Sequence, residues 1–231
     1  MLKVEKLTVH GFEEAIRGMR NPYDSWDKSD TTIDYETGSV DIGDNDILLM
    51  KKLVAGGPVH AKFRRMITVS MDITAPLYWW KQFDTYKVGT VANSCSTMHL
   101  VKNMPFRRED FSVEHLGYYD VKKDPDEQED TGLFGEGYDD KMVWPIDILE
   151  DIILILNHNL IKYRQTRDKK YWWQIIQLLP SSYNQKRTVL LNYEVLSNIY
   201  MWRKNHKLDE WHQFIDAVSV LPLFNILIAE E

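Results

Sequence analysis

A strand followed directly by a helix is the strongest structural signal in this sequence. Residues 66–73 (MITVSMDI) alternate in character and are rich in β-branched and other apolar side chains, which predicts a β-strand. The Ala75-Pro76 pair that follows suits the first turn of a helix, because proline needs no amide donor there. The fold is therefore expected to contain both helices and strands.

The rest of the chain extends this mixed pattern. Strands do not alternate regularly with helices, so we predict an α+β fold with a mixed sheet and long helices. Asp44 or Asn45 could cap one of the helices. Further strands are predicted at 2–9 and 186–193, an extended segment at 87–94, and a loop with a short hairpin at 21–46. Helices are predicted at 11–20, 46–57, 75–84, 144–167, 169–180, 194–204 and 209–219.

The helix predicted at 144–167 has more apolar residues than the others. Its helical spacing predicts that Ile148, Ile152, Ile155 and Ile161 are among the buried residues.

Chain length fits one large domain. At 231 residues and 27.3 kDa, we predict a single domain over 1–231. The acidic, glycine-containing stretch 120–140 is predicted to be a solvated surface loop. Calcium binding is the alternative, but Glu129 stands where a calcium loop has glycine.

Charge and cysteine content narrow the possible partners and locations. A net charge of −7 argues against a general nucleic-acid binder, which needs a basic face. The single cysteine, Cys95, excludes an internal disulfide and favours a reducing, cytoplasmic location. The longest apolar run, 146–161, is interrupted by Glu150, Asp151 and His158, so no membrane span is expected.

Simple catalytic and metal-binding motifs are absent from the sequence. The spacing of the histidines does not indicate a metal site, and we predict none. Cys95 has no adjacent base, so a small buried residue is favoured over a nucleophile. Trp79-Trp80 and Trp172-Trp173 could stack on a planar ligand, but bulky core or interface residues are the favoured interpretation.

The segment 192–207 (NYEVLSNIYMWRKNHK) carries the most informative polar residues. Asn198 and Arg203 fall on neighbouring faces of the predicted helix. Such a pair can recognise a nucleobase edge and hold an anion, because arginine is a bidentate donor. An arginine at a helix end is also what the helix dipole favours.

Taken together, these segments resemble the flavin-dependent thymidylate synthases. AIRGMR (15–20) resembles the early Ala/Arg-rich segment of the family, and residues 59–83 resemble its His-led turn, strand and Ala-Pro helix. The family's Arg-Gln pair corresponds to Lys81-Gln82. Later matches in the family's order are Leu179-Pro180, Asn192, Leu196, Asn198, Arg203 and His206.

The family's signature motif, RHRxxSxNExSxRY, is only partly retained. Without gaps, Thr85-Tyr86-Lys87 takes the place of RHR, and Thr90 and Cys95 take the places of the serines. One inserted residue instead aligns Asn93 and Ser96 with the motif's Asn and Ser. In either alignment the final Arg-Tyr is missing, with Thr97-Met98 or Met98-His99 in its place.

The lost cations would hold the anions of a flavin dinucleotide and a nucleotide phosphate. Each charge-assisted contact contributes about 1.5–3 kcal/mol, so binding should weaken by orders of magnitude unless other cations substitute. The candidate substitutes are Lys87, Arg64, Arg65, Lys186 and Arg187.

The resemblance also implies roles for individual residues. Arg203 would be catalytic, since it can stabilise negative charge developing on a uracil ring. The expected nucleotide-binding residues are Gln82, Lys87, Thr90, Asn93, Ser96 and Arg203. The expected cofactor-binding residues are His60, Tyr86, Lys87, Asn192, Asn198 and His206, with FAD as the possible cofactor and folate and NADPH only if the protein is active.

Three functions follow as hypotheses. The favoured one is a divergent thymidylate synthase-like protein that binds a pyrimidine or related nucleotide at a subunit interface, with dUMP methylation lost or altered. The alternative is an active FAD-dependent enzyme that transfers a one-carbon group to C5 of dUMP or a related nucleotide. A purely structural protein is least favoured. The resemblance further implies a homotetramer, and relatives are common in phages.

Overall fold

The computed structural model describes residues 2–96, 105–117 and 144–230. They fall into two compact units: a sheet unit, Leu2–Cys95 with Gln185–Glu231, and a helical unit, Ser96–Asn184. The acidic stretch 120–140 lies outside the described residues, so its predicted loop structure is not tested. The prediction of a single domain also stays a prediction.

The order of elements is close to that predicted from the sequence, with helices and strands mixed along the chain. The strands are β1 (Lys3–His10), β2 (Thr32–Asp34), β3 (Ser39–Asp41), β4 (Thr68–Pro76), β5 (Val91–Ser94) and β6 (Asn184–Asn192). The helices are α1 (Phe12–Arg20), α2 (Asp44–Ala55), α3 (Leu77–Phe83), α4 (Pro145–Thr166), α5 (Lys169–Leu178), α6 (Tyr193–Arg203), α7 (Asp209–Val218) and α8 (Phe224–Leu227).

A four-stranded sheet in the order β1-β4-β6-β5 organises the sheet unit. The predicted strand 66–73 is β4, which pairs antiparallel with β1 and lies inside the sheet. Its residues Val69, Met71 and Ile73 are buried at alternate positions, as the sequence pattern requires. β5 is an edge strand with all four residues exposed. The strands β2 and β3 form the short hairpin expected within 21–46.

An aromatic cluster fills the core where α3 meets α7. Trp79 and Trp80 are fully buried, and Trp79 lies 4.8 Å from Trp211 and 5.0 Å from Phe83, measured between ring centroids. Their interpretation as core residues is therefore confirmed. This packing fixes the end of α3 against the start of α7.

The long segment before α2 is held by two aspartates. The predicted cap from Asp44 or Asn45 is wrong, because the helix already begins at Asp44 and the Asp30 carboxylate accepts from the amides of Asn45 and Asp46. Asp46 is fully buried and pairs with Arg20 at 2.7 Å.

Residues ahead of α2 complete the Asp46 contacts. The second Asp46 carboxylate oxygen accepts from the backbone or hydroxyl groups of Ser29, Asp30 and Thr31. Burial raises the pKa of Asp46, but the hydrogen bonds from Thr31, Ser29 and Arg20 outweigh it and keep the pKa below its usual value. The segment is therefore tied to the core at one buried charge.

The helical unit consists mainly of α4 and α5, packed on each other. The buried residues of α4 are Ile146, Leu149, Leu156, Asn159 and Leu160. The predicted burial of Ile148, Ile155 and Ile161 is wrong, since all three are about half exposed in the single chain, while Ile152 is partly buried. Apolar residues occur on more than one face of this helix, so spacing alone could not select the packed face.

Candidate functional site

The candidate site is a cluster of four side chains in the sheet unit. Gln82 lies in the last turn of α3, Tyr86 in the turn that follows, Arg203 at the last position of α6, and Trp211 in the first turn of α7. We call these residues the Arg203 cluster. Three of the four were expected site residues, and the fold brings them together from positions more than a hundred residues apart.

Hydrogen bonds within the cluster converge on Gln82 and Arg203. Gln82 Oε1 accepts from Trp211 Nε1 at 2.9 Å and from Arg203 Nη1 at 3.3 Å. Arg203 Nε donates to the Tyr86 hydroxyl at 3.0 Å, and the guanidinium carbon lies 4.9 Å from the Trp211 ring centroid. Arg203 has no acidic partner among the described residues. Its positive charge is therefore matched only by neutral and aromatic groups.

His206 lies beside the cluster. Its ring centroid is 6.3 Å from that of Trp211, and its Nδ1 accepts from the Leu208 amide at 3.1 Å. Burial, then the charges of Arg203 and His212, lower the pKa of His206 below its usual value. The imidazole is therefore neutral near pH 7.

Two further expected residues line a small adjoining pocket. Lys87 and Thr90 share with Tyr86 a pocket of about 130 Å³ that Phe83, Asp84 and Ala92 complete. The Thr90 hydroxyl oxygen is buried without a hydrogen-bond partner among the described residues. A polar group in this state is available to a ligand that reaches the pocket.

Four of the five candidate replacement cations already have carboxylate partners. Arg64 pairs with Glu230, and Arg65 with Glu194. The other two form similar pairs: Lys186 with Asp72 and Glu5, and Arg187 with Asp84. Lys87 is the exception within the described part of the chain, since no acidic side chain pairs with it. Of the five, Lys87 is therefore the one whose charge no described carboxylate neutralises, and it is available for an anion.

His60 lies in a different and larger pocket. It has a volume of about 660 Å³ and lies between the end of α1 and the 3-10 turn Ala61–Arg65. Its walls are mainly apolar, with Lys62 and Arg65 as the cationic residues. The size is typical of small-molecule sites. Of the expected cofactor residues, only His60 lines this pocket.

The remaining expected residues are not gathered at either pocket. Asn192 caps α6, its side-chain oxygen accepting from the Val195 amide at 3.0 Å. Asn198 and Asn93 are exposed on α6 and β5. Ser96 is partly buried and belongs to the helical unit. Their roles in ligand binding stay predictions, and residues 97–99 at the end of the signature motif lie outside the described residues.

Cys95 differs from its prediction. It is exposed rather than buried, because it follows the edge strand β5. Its amide donates to the Lys186 carbonyl, and its carbonyl accepts from the Gln185 side chain. Among the described histidines, cysteines and acids, no three side chains are placed to hold a metal. None of the described helices is long and apolar enough to cross a membrane.

Trp211 was not singled out from the sequence. It is fully buried and donates its only N–H to Gln82. A usable signal was present, because a buried tryptophan usually finds a partner for its N–H, and Trp211 lies on the apolar face of the predicted last helix. The sequence could not indicate which acceptor it would find.

The fold is that of the flavin-dependent thymidylate synthases. The structure is similar to thymidylate synthase X of Helicobacter pylori, solved with FAD and dUMP, with a TM-score of 0.63 and 14% identity over 100% of this chain and 98% of that one. A second structure of this enzyme with the same ligands gives 0.60 and 15% identity, covering 99% of this chain and 98% of the other. No protein-family model matches the sequence, and no curated protein matches it either.

Proposed function

We propose that this chain binds a pyrimidine nucleotide of the deoxyuridylate type at the Arg203 cluster, with dUMP methylation lost or altered. The observation that carries the proposal is the direct contact between Arg203 and Gln82, which lie 121 residues apart. Both were expected nucleotide-binding residues, and Arg203 has no carboxylate to neutralise it among the described residues. An uncompensated arginine beside an amide suits a ligand that combines an anion with a polar ring.

The small number of unpaired cationic side chains supports weaker anion binding than the family's motif would give. Arg64, Arg65, Lys186 and Arg187 are occupied by carboxylates, so Lys87 and Arg203 remain for a phosphate. Fewer charge-assisted donors mean weaker binding of a dinucleotide and a nucleotide together. This favours a nucleotide binder over an enzyme of the usual kind.

An active FAD-dependent enzyme is the second candidate, and the His60 pocket favours it. Its volume of about 660 Å³ and apolar walls suit a planar ring system, and His60 and Lys62 would hold the polar parts of the cofactor, since Arg65 already pairs with Glu194. When bound, FAD would supply the hydride chemistry. In this case Arg203 would hold the nucleotide and stabilise negative charge developing on its ring.

An absorbance spectrum of the purified protein separates the two candidates. Flavin bands that respond to added deoxyuridylate would favour the enzyme. A colourless protein that binds deoxyuridylate by calorimetry but ignores added FAD would favour the binder. A protein that binds neither FAD nor any pyrimidine nucleotide would contradict both.

A symmetric oligomer, a homotetramer, is part of the proposal. Sites shared between subunits require it, and the half-exposed Ile148, Ile155 and Ile161 of α4 are apolar surface suited to burial against another subunit. Sedimentation analysis tests it, because a monomer at micromolar concentration would contradict a site built at a subunit interface.

A further inference from the structure

The Gln82 amide is held in one orientation by neighbours that can only donate. Its oxygen faces Trp211 Nε1 at 2.9 Å and Arg203 Nη1 at 3.3 Å. An indole and a guanidinium carry N–H groups but no acceptor, so the amide oxygen, not the nitrogen, must face them. Both lone pairs of that oxygen are then used. Only the amide nitrogen, with two N–H groups, remains for a ligand.

Tyr86 and His206 are restricted in the same sense. The Tyr86 oxygen accepts from Arg203 Nε, which leaves the hydroxyl hydrogen free to donate. His206 Nδ1 accepts from the Leu208 amide, so the neutral ring carries its hydrogen on Nε2. The groups that these residues leave for a ligand are therefore mainly donors.

We propose that Trp211 is a positioning residue: by holding the Gln82 oxygen, it restricts the Arg203 cluster to ligands that present an oxygen acceptor. The acceptor is either a ring carbonyl of an oxo-pyrimidine or a phosphate oxygen. This inference rests on the proposed nucleotide binding and adds the chemistry of the group recognised. A ligand amine in that place would direct its own N–H groups at those of Gln82. A site built for hydrogen bonding strongly rejects such a donor–donor mismatch.

The first test replaces Trp211 by phenylalanine. Trp211→Phe keeps an aromatic ring in the core but removes the N–H, so only the longer bond from Arg203 Nη1, at 3.3 Å, still holds the Gln82 oxygen in place. We expect deoxyuridylate affinity to fall about tenfold, which is the loss of roughly one well-placed hydrogen bond. The matched control is Trp80→Phe, because Trp80 is equally buried but donates to the Gln185 carbonyl at 2.9 Å. Equal affinity losses in the two variants would overturn the proposal.

Gln82→Glu is the second variant, and it does not disturb the core. A carboxylate still accepts from Trp211 and Arg203 but has no N–H to give to a ligand. We expect a folded protein whose affinity for deoxyuridylate is at least about tenfold lower. Binding equal to the unmodified protein would overturn the inference that the ligand receives a donor from Gln82.

Deoxyuridine and inorganic phosphate distinguish the two sources of the oxygen. If the acceptor is the ring carbonyl, Trp211→Phe weakens deoxyuridine but not phosphate, and the preference for deoxyuridylate over deoxycytidylate declines. If it is a phosphate oxygen, the variant weakens inorganic phosphate and leaves deoxyuridine unchanged. An unchanged affinity for both probes would contradict the proposal.

Hydrogen exchange of the Trp211 indole N–H keeps this inference separate from the proposed function. The measurement is made by NMR on the full chain without ligand. Gln82→Met removes the acceptor, and we expect faster exchange of that indole proton alone. If Gln82→Met leaves the exchange rate unchanged, the positioning bond is refuted even if the unmodified protein binds nucleotides. If exchange is faster in Gln82→Met but the unmodified protein binds no nucleotide, the proposed function is refuted and the bond is not.

Discussion

The two ends of α6 place arginine in opposite environments. Near the N-terminal end, Glu194 holds Arg65, and Ser197 shares the Glu230 carboxylate with Arg64. Arg203 lies nine residues after Glu194, about 14 Å along the helix at a rise of about 1.5 Å per residue. Among the described residues it contacts only uncharged groups. At the N-terminal end, Arg64 and Arg65 form ion pairs within the chain. At the C-terminal end, Arg203 remains available to a ligand.

The largest effect should follow from removing that available cation. Arg203→Ala is expected to weaken deoxyuridylate binding by about 100-fold, because a charge-assisted contact and the second donor to Gln82 are both lost. Calorimetry on folded protein measures it. Arg17→Ala is the control, since Arg17 is exposed and already faces Glu13 at 3.7 Å. Unchanged affinity for every pyrimidine nucleotide in Arg203→Ala would remove the site from this end of α6.

Breaking a pair at the other end should affect stability instead. Arg64 is buried and its Nη1 donates to the Glu230 carboxylate, the Ser197 hydroxyl and the Leu227 carbonyl. Arg64→Ala is expected to lower the free energy of unfolding by about 2 kcal/mol, below the range for a fully buried pair because the Glu230 side chain is 32% exposed. Urea denaturation measures the change.

The neighbouring Arg65 supplies the control for this stability effect. Its side chain is 59% exposed, so Arg65→Ala should cost less than about 1 kcal/mol. If Arg64→Ala left stability unchanged but weakened deoxyuridylate binding, the assignment of the two ends would be reversed.

Lys87 is expected to have a smaller effect, restricted to the phosphate. Lys87→Ala should weaken deoxyuridylate by about tenfold and leave deoxyuridine unaffected, because the amine can contribute only to the anion. Lys52→Ala, on the exposed side of α2, should change neither affinity. Equal losses for the nucleotide and the nucleoside would contradict a phosphate contact.

The smallest effect concerns the pKa of His206. Burial is the main cause of its lowered pKa and the Arg203 charge is the next, so Arg203→Ala should raise the pKa toward 6.5 without reaching it. An NMR titration of the imidazole measures this. An unchanged pKa would mean that the Arg203 charge does not act on His206.

The same lowered pKa has a defined sign in a stability curve. The folded state disfavours the imidazolium, so the contribution of His206 to stability is complete above the unfolded pKa and declines as pH falls below it. The Asp46 carboxyl behaves similarly at lower pH. Its lowered pKa means that the folded state favours the carboxylate, and this contribution to stability is lost as pH falls below about 3.8.

Much of the fold followed from the sequence because its local signals agree. Alternation identified β4, and proline marked the start of α3 within two residues. Gln82, Tyr86 and Arg203 came from the resemblance, and the fold places them in contact. Alternation and proline positions are local features of the sequence, and the order of motifs comes from the family. All of these can be recognised in a single sequence.

What could not be predicted depends on contacts between distant residues. Nothing local indicates that Arg64 meets Glu230, or that the cap of α2 comes from Asp30, fourteen or more positions upstream. The exposure of Cys95 likewise depends on β5 being an edge strand, which is a property of strand order. Ion-pair partners and strand order are features of the tertiary structure, and the periodicity of the sequence predicts neither of them.

The two aspartates before α2 determine where this chain can accept extra residues. Asp46 receives bonds from three consecutive residues, Ser29 to Thr31, so inserting even one residue there would shift every donor away from the buried carboxylate. The turn at Glu36–Gly38 is exposed and has open space around Gly38, although the φ of +72° at Gly38 requires that this glycine itself be kept. An affinity tag or a fluorophore attachment peptide therefore belongs in that turn, a few residues from a segment that tolerates none.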